Sequence, residues 1–353
     1  MPAPTSECFV WAVAQLGAEP ALKAEVARLH PTWRFAFSRP GLVTWKTGAP
    51  IAADVALGAV FARAHGVSLG KATDDAEVID AARRLAGAAP VLLHVFERDR
   101  ARPGEEDEND PYGPLAAAVR ARLLASAPSG TFVAETRPPR AGELVLDVVA
   151  APDEPLWLGF HAHGPGHSPH PGGRVPLVLP AEAPSRAWLK LEEALAWSAL
   201  PLRARQVAVE IGSAPGGASW ALLARGLTVV GVDPGDMDAR VLAAPGFAHL
   251  KLALGDLRRE QLPARVDWLL MDVNLAPQVA VHGVRRIVST LRDTLRGVLF
   301  TLKLNDWKMA AEVPALLERV AGMGLSDVRA TQLPSNRREV CVVGIHRGPA
   351  RRS

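Results

Sequence analysis

From Glu210 to Gly217 the chain reads Glu-Ile-Gly-Ser-Ala-Pro-Gly-Gly, an acid running into a glycine-rich turn. The apolar run before it, Gln206 to Ile211, suits a strand, and the Ala/Leu-rich run after it, stopped by Gly226, suits a helix. The next apolar run ends on Asp233. Strand, glycine loop, helix and an acid about 20 residues further on make a nucleotide-type site, with the acid in reach of a ribose hydroxyl. The spacing is Gly-x-x-x-Gly-Gly, not the Gly-x-Gly-x-x-Gly that lets backbone approach a pyrophosphate at a helix N-terminus. A ligand without a pyrophosphate suits this looser loop. S-adenosyl-L-methionine, with its cationic sulfonium, amino-acid end and adenosine, fits a loop preceded by the acid Glu210. Asp256, in Leu-Ala-Leu-Gly-Asp, is placed to hydrogen-bond an adenine amino group. The candidate donor-binding residues are therefore Glu210, Gly212, Ser213, Ala214, Pro215, Gly216, Gly217, Asp233 and Asp256.

The choice of cation carries further information. Of the 40 Lys plus Arg residues seven are lysines, which leaves 33 arginines. Arginine is the default cation of this chain, so a lysine at a suspected site has weight: an ammonium can lose its proton and a guanidinium effectively cannot.

The elements that must position these residues alternate. After the glycine loop come the apolar runs 227–233, 266–273 and 297–304, with helical stretches at 277–293 and 310–322 and a last strand at 339–345. That alternation predicts an α/β, doubly wound, mostly parallel sheet. The first half differs. Strands are expected at 9–15, 41–46, 90–97 and 143–151, and helices at about 19–29, 76–87 and 113–126, giving one or two small α+β units. The acidic run 105–110 reads as a solvated loop. The Gly/Pro-rich segment 161–174 reads as a linker. Its histidines, His161, His163, His167 and His170, have no Cys or acidic partners at ligand spacing, so no metal centre is expected.

Composition excludes some classes. A 353-residue chain with 48% hydrophobic and 22% charged residues is long enough for two or three folded domains. No apolar run approaches the roughly 20 residues of a spanning helix. The N-terminus lacks a cationic segment leading into an apolar one, and the two cysteines, Cys8 and Cys341, are too few for a disulfide framework. A cytoplasmic location is the expectation. The formal charge of +3 is compatible with a polyanionic partner and decides nothing alone.

Beyond these residues, Pro184-Ser185-Arg186-Ala187-Trp188-Leu189-Lys190-Leu191-Glu192-Glu193 resembles the opening signature of the FtsJ-type ribose 2′-O-methyltransferases. The later parts of that pattern follow in order: the loop at 210–217, Val-Asp-Pro-Gly at 232–235, Gly-Asp at 255–256, Met-Asp-Val at 271–273, Phe-Thr-Leu-Lys-Leu at 300–304 and Arg-Arg-Glu-Val at 337–340. The family's Lys-Asp-Lys-Glu tetrad falls on Lys190, Asp272, Lys303 and Glu339, with Asp272 also at the donor. Within the family the likeness is to the RlmM-type large-subunit rRNA cytidine methyltransferases, which carry ferredoxin-like and THUMP RNA-binding domains before the catalytic one. The resemblance is detailed over about 181–345 and architectural before that. It implies a ferredoxin-like α+β domain at 1–79, a THUMP-like domain and linker at 80–180, and a Rossmann-like S-adenosylmethionine methyltransferase domain at 181–353. It further implies methylation of a ribose 2′-oxygen in 23S rRNA or a large-subunit precursor, with S-adenosyl-L-homocysteine as product and no obligate protein partner. Two departures stand out: Glu210, where the family has Asp, and Val273-Asn274-Leu275 after Asp272.

The tetrad makes chemical sense on its own terms. A ribose hydroxyl is a poor nucleophile at neutral pH, so its proton must leave as it attacks an electrophilic methyl. Lys303 is the candidate base, Lys190 the neighbouring cation, and Asp272 and Glu339 orient the amines. If these two positions were cations drawn from the composition, both would be lysine in about (7/40)², or about 3%, of cases. The Asn/Asp-Pro-Pro-aromatic motif of amino-methylating enzymes is missing after Asp272, and both cysteines read as buried or incidental thiols. Arg120, Arg122, Arg137, Arg140, Arg285, Arg286, Arg292, Arg296, Arg337 and Arg338 are candidate phosphate contacts, and Trp188, Trp220 and Trp268 candidate core residues. The alternatives are an RNA-binding or assembly protein that keeps the fold without turnover, and a nicotinamide oxidoreductase, which lacks its dinucleotide loop.

Overall fold

The structure is a computed structural model and describes residues 8–103, 105 and 112–346. The chain divides into two compact units, Met1–Val178 and Leu179–Ser353.

The first unit is built on one seven-stranded sheet. Its strands are β1 (Phe9–Val13), β2 (Arg34–Arg39), β3 (Leu42–Lys46), β4 (Ala64–Ala72), β5 (Leu92–Glu97), β6 (Leu144–Ala150) and β7 (Leu156–Ala162), in the order β2-β3-β1-β4-β7-β6-β5. Only β5 and β6 run parallel; the other neighbours are antiparallel. Its helices are α1 (Glu19–Leu29), α2 (Asp75–Ala86) and α3 (Pro114–Ser126). Helix α2 starts where the Asp74 side chain accepts from the Glu77 amide, satisfying one orphan donor of the first turn. It buries Val78, Ile79 and Ala82 with Val119 and Leu123 of α3. The position 79/80 lies inside α2, and the strands before and after it share this sheet.

The segment expected to be a linker is instead part of this unit. His161 and Ala162 close β7, and Arg174 reaches 2.7 Å to the buried carboxylate of Asp99, which Arg63 also holds at 2.7 Å. Gly and Pro content predicts a spacer, but here the glycines permit close packing: a Cβ on Gly173 would lie 2.4 Å from the Arg63 carbonyl oxygen. The histidines stack. His167 lies 4.5 Å from the ring of His161 and 4.6 Å from that of His65, and His161 Nδ1 is 2.7 Å from Asp147 Oδ2. Burial holds His65 and His167 well below the usual imidazole range, at about 4 and about 3. Of the acidic run 105–110, only Glu105 is among the described residues.

The second unit carries β8 (Val207–Ile211), β9 (Thr228–Val232), β10 (Phe247–Leu250), β11 (Trp268–Asp272), β12 (Gly297–Lys303), β13 (Leu325–Thr331) and β14 (Glu339–His346), in the order β10-β9-β8-β11-β12-β14-β13. The neighbours from β10 across to β12 are parallel, and β14 alone reverses against both its neighbours. This is the doubly wound α/β sheet expected, with its switch of strand order between β8 and β11. Helices α4 (Ala187–Ser198), α5 (Gly217–Ala224), α6 (Ala239–Leu242), α7 (Pro277–Leu291) and α8 (Val313–Ala321) complete it. Leu191 and Ala194 of α4 and Ala221 and Leu222 of α5 pack with Leu270, Leu299 and Val343 of the sheet. Trp268 is buried there, its Nε1 donating to Gln206 Oε1 at 2.8 Å. No helix among the described residues is long and apolar enough to cross a membrane.

Candidate active site

The ends of β8, β9, β11 and β12 meet at one edge of the second sheet, and the antiparallel β14 begins there. Its register sets Glu339 directly opposite Lys303. Asp272 is the last residue of β11, one strand over, and Lys190 comes from the first turn of α4. The four side chains close a square. Lys190 Nζ donates to Asp272 Oδ2 at 3.1 Å and to Glu339 Oε2 at 2.7 Å, while Lys303 Nζ sits 2.8 Å from Asp272 Oδ1 and 3.1 Å from Glu339 Oε1. All four are only 11% to 23% exposed, so each charge depends on its neighbours in place of water. Burial alone would discharge both Asp272 and Lys303. Paired attraction wins at each: Asp272 is held below the usual carboxylate range by the two lysines, and Lys303 above the usual lysine value by the two carboxylates.

Two glycines let the loop approach this square. Gly212, at φ +84°, lies where a Cβ would be 2.2 Å from the Asp272 carbonyl oxygen, so any side chain there would displace the end of β11. Gly217 opens α5 with no Cβ to strike Ser185 Oγ, which would be 2.4 Å away. The turn leading into α4, and with it Lys190, can thus lie against α5. Helix α4 is tied from its other side by Glu193, whose Oε2 accepts from the Ser335 amide at 2.9 Å and hydroxyl at 2.6 Å.

The acids expected at the donor differ in state. Asp233 takes the Ala214 amide at 3.1 Å on one oxygen and the Gly235 amide at 2.7 Å on the other, which fixes the loop and leaves further lone pairs outward. Asp256 is exposed in the turn after β10, and Arg286 braces that turn by donating to the Leu257 carbonyl at 2.9 Å. Glu210 is buried, and its hydrogen bond is from Ser219 Oγ at 2.5 Å. Burial, with the nearby carboxylates of Asp272 and Asp233, pushes it up to about 8. It lines, with Lys190, Asp272, Thr301 and Cys341, a cavity of about 390 Å³ counted to its open mouth. Burial pushes the Cys341 thiol up as well, which removes it as a nucleophile. Ser213 is buried, its Oγ 3.5 Å from Met237 Sδ.

The sequence profile of the FtsJ-like methyltransferase family matches residues 183–308. The second unit carries an FtsJ-like methyltransferase domain. The ribosomal RNA large subunit methyltransferase M of Alkalilimnicola ehrlichii is 36% identical over 215 residues, 58% of this chain and 57% of that protein. That of Hahella chejuensis is 28% identical over 298 residues, 81% of this chain and 72% of that protein. Among solved structures, TrmN from Thermus thermophilus aligns at a TM-score of 0.35 and 16% identity, covering 96% of this chain and 99% of that one. The chain thus spans a little over half the length of the first of these relatives.

The second unit brings together all four tetrad residues expected from the sequence, Glu339 lying beyond the matched 183–308, and sets the loop 212–217 beside them. The arginines divide. Arg337 and Arg338 are exposed next to Glu339, whereas Arg292 and Arg296 lie at the opposite, amino edge of the sheet, where Arg296 Nε is 2.8 Å from Asp267 Oδ1. Spacing along the chain could not tell the two edges apart. Ser219, Glu193 and Ser335 were missed: a serine one turn into a helix carries no signal, and the last two are 142 residues apart.

A Glu held near 8 in the fold and near 4.5 in the unfolded chain makes folding less favourable as pH rises between those values, since the unfolded chain ionises first. Glu210→Gln keeps the hydrogen bond from Ser219 and removes this titration. Relative to that variant, the parent should lose stability, on the order of 4 kcal/mol at full extent, between about pH 5 and pH 8. Urea denaturation of both proteins across that range measures it; parallel pH profiles would contradict the burial of an ionisable Glu210.

Proposed function

We propose that this protein is an S-adenosyl-L-methionine-dependent RNA methyltransferase that modifies a ribose 2′-oxygen of large-subunit (23S) rRNA or its precursor. The observation that carries the reading is the closed Lys190–Asp272–Lys303–Glu339 square at the carboxyl edge of the sheet. The FtsJ-like domain supports the reaction class, and the names of the relatives support the substrate.

The residues present fit the donor. Glu210 is a buried carboxyl group with the acids Asp272 and Asp233 as charged neighbours, which suits a ligand bearing positive charge. Glu210, Asp272 and the loop 212–217 would hold the methionine end, Asp233 the ribose and Asp256 the adenine. Bound there, the donor supplies an electrophilic methyl group, with S-adenosyl-L-homocysteine as the product.

The remaining work falls to the square. Lys190 binds the 2′-oxygen or an adjacent phosphate as a fixed cation. Asp272 and Glu339 hold both amines in place. Lys303 takes the hydroxyl proton as the oxygen attacks. Because the carboxylates hold Lys303 above its ordinary value, the free amine is scarce at neutral pH and its fraction grows about tenfold per pH unit. Asp272, which pairs with Lys303, would share its charge with a cationic donor bound beside it and so hold the proton of Lys303 less firmly.

Single-turnover methyl transfer tests this assignment. Parent rates should climb about tenfold per pH unit through the neutral range, and Lys303→Arg and Lys303→Ala should both fall by about 10²–10⁴ while still binding donor. An arginine variant within about tenfold of the parent would leave residue 303 as a positioning charge only. The role of the first unit is tested separately. A chain beginning at Leu179 should keep donor affinity and lose most RNA affinity, a loss that shrinks at high salt as phosphate contacts weaken. Equal RNA binding by the fragment would remove the THUMP-like assignment of the first unit.

A further inference from the structure

The first unit contains a shallow cleft, about 330 Å³ counted out to open solvent, whose lining joins aromatic rings to cations. Phe37 of β2 and Trp157 of β7 stack with centroids 5.3 Å apart and planes 13° from parallel. These strands have β3, β1 and β4 between them in the sheet, so the sheet must coil strongly for the rings to meet. The register irregularity between Phe35 and Phe37 turns edge strand β2 inward at this point. Trp157 Nε1 donates to Ser68 Oγ at 3.2 Å, which fixes the indole.

The cations complete the arrangement. Lys71 Nζ lies 5.1 Å from the Phe37 centroid and 5.6 Å from that of Trp157, and the Arg39 guanidinium lies 5.0 Å from Phe37. Both side chains are exposed, and among the described residues neither has an acid at ion-pair distance. Arg98 at the rim is neutralised by Glu154 at 2.6 Å. A core lid would need the ring pair but not two unneutralised cations held over it. Stacking faces flanked by free positive charge match an unpaired nucleotide, which offers a base to the rings and a phosphate to the cations.

We infer that this cleft binds an unpaired nucleotide of single-stranded RNA, with the base against Phe37 and Trp157 and the backbone phosphate at Arg39 and Lys71. The inference rests on RNA being the substrate, and not on the transfer chemistry. Stacking is indifferent to base identity, so the cleft recognises strandedness more than sequence.

The full chain is titrated with a fluorescein-labelled short oligouridine and with a hairpin duplex of matched charge, by anisotropy at several salt concentrations. Phe37→Leu should weaken oligouridine binding roughly 5- to 100-fold with little change in salt slope. Phe37→Trp should bind like the parent. Lys71→Ala should weaken binding and reduce the salt slope by about one. Hairpin affinity should stay at the parent level in all three. Parent-like oligouridine binding by Phe37→Leu overturns the proposal, as does an equal loss for Phe37→Leu and Phe37→Trp or an equal loss for oligouridine and hairpin. Donor binding by the same variants, expected unchanged, keeps a failure here distinct from a failure of the methyltransferase reading.

Discussion

Four charges withdrawn from water, two positive and two negative, can coexist only if each stays paired, and the second unit is arranged to keep them so. Removing any member of the Lys190–Asp272–Lys303–Glu339 square would strand a buried charge, a costly state. The reversal of β14 is what makes the square possible. A parallel β14 would carry Glu339 to the far edge of the sheet, whereas the antiparallel register delivers it opposite Lys303. The glycines at 212 and 217 serve the same end, since each permits a backbone approach that sets Asp272 or the turn before Lys190. The bond from Ser335 to Glu193 then fixes the helix that carries Lys190.

The same square has a chemical cost. Carboxylates that stabilise the lysines in the fold also hold the proton on Lys303, the opposite of what a base at neutral pH needs. The sign could not be read from the sequence, because desolvation and attraction oppose one another and only distances decide between them. At 2.8 Å and 3.1 Å attraction prevails. Were a cationic donor bound beside Glu210 and Asp272, as proposed, it would shift that balance toward the free amine.

Legibility in the sequence followed burial. Strands buried on both faces, such as β8, β11, β12 and β14, are continuous apolar runs and lie within a residue or two of their expected positions. Strands β2 and β13 were missed: they are edge strands, and Arg-Phe-Ala-Phe-Ser-Arg or Leu-Ser-Asp-Val-Arg-Ala-Thr shows a mixed surface to solvent. β4 is central yet was also missed, since it carries Gly66 where Trp11 Nε1 and the Phe160 carbonyl leave no room for a Cβ. β7 runs into a Gly/Pro-rich stretch whose composition suggests a spacer while its contacts, Arg174 to Asp99 and His167 between His65 and His161, belong to the first unit. At the site, the loop was legible as a glycine-rich turn between a strand and a helix, and the tetrad positions through the resemblance to the FtsJ-type pattern, the two lysines standing out in an arginine-rich chain. The Phe37–Trp157 pair was not, because it forms through coiling of a sheet and leaves no periodicity.

The position of the transferred methyl group tests the account most directly. With tritiated methyl donor and large-subunit rRNA, alkaline hydrolysis cuts after every ribose whose 2′-hydroxyl is free. The square predicts label in alkali-resistant dinucleotides, since a methylated 2′-oxygen cannot assist cleavage of its own phosphodiester. Label recovered in mononucleotides would place the methyl group on a base and contradict the assignment of Lys303 and its three partners to a ribose hydroxyl.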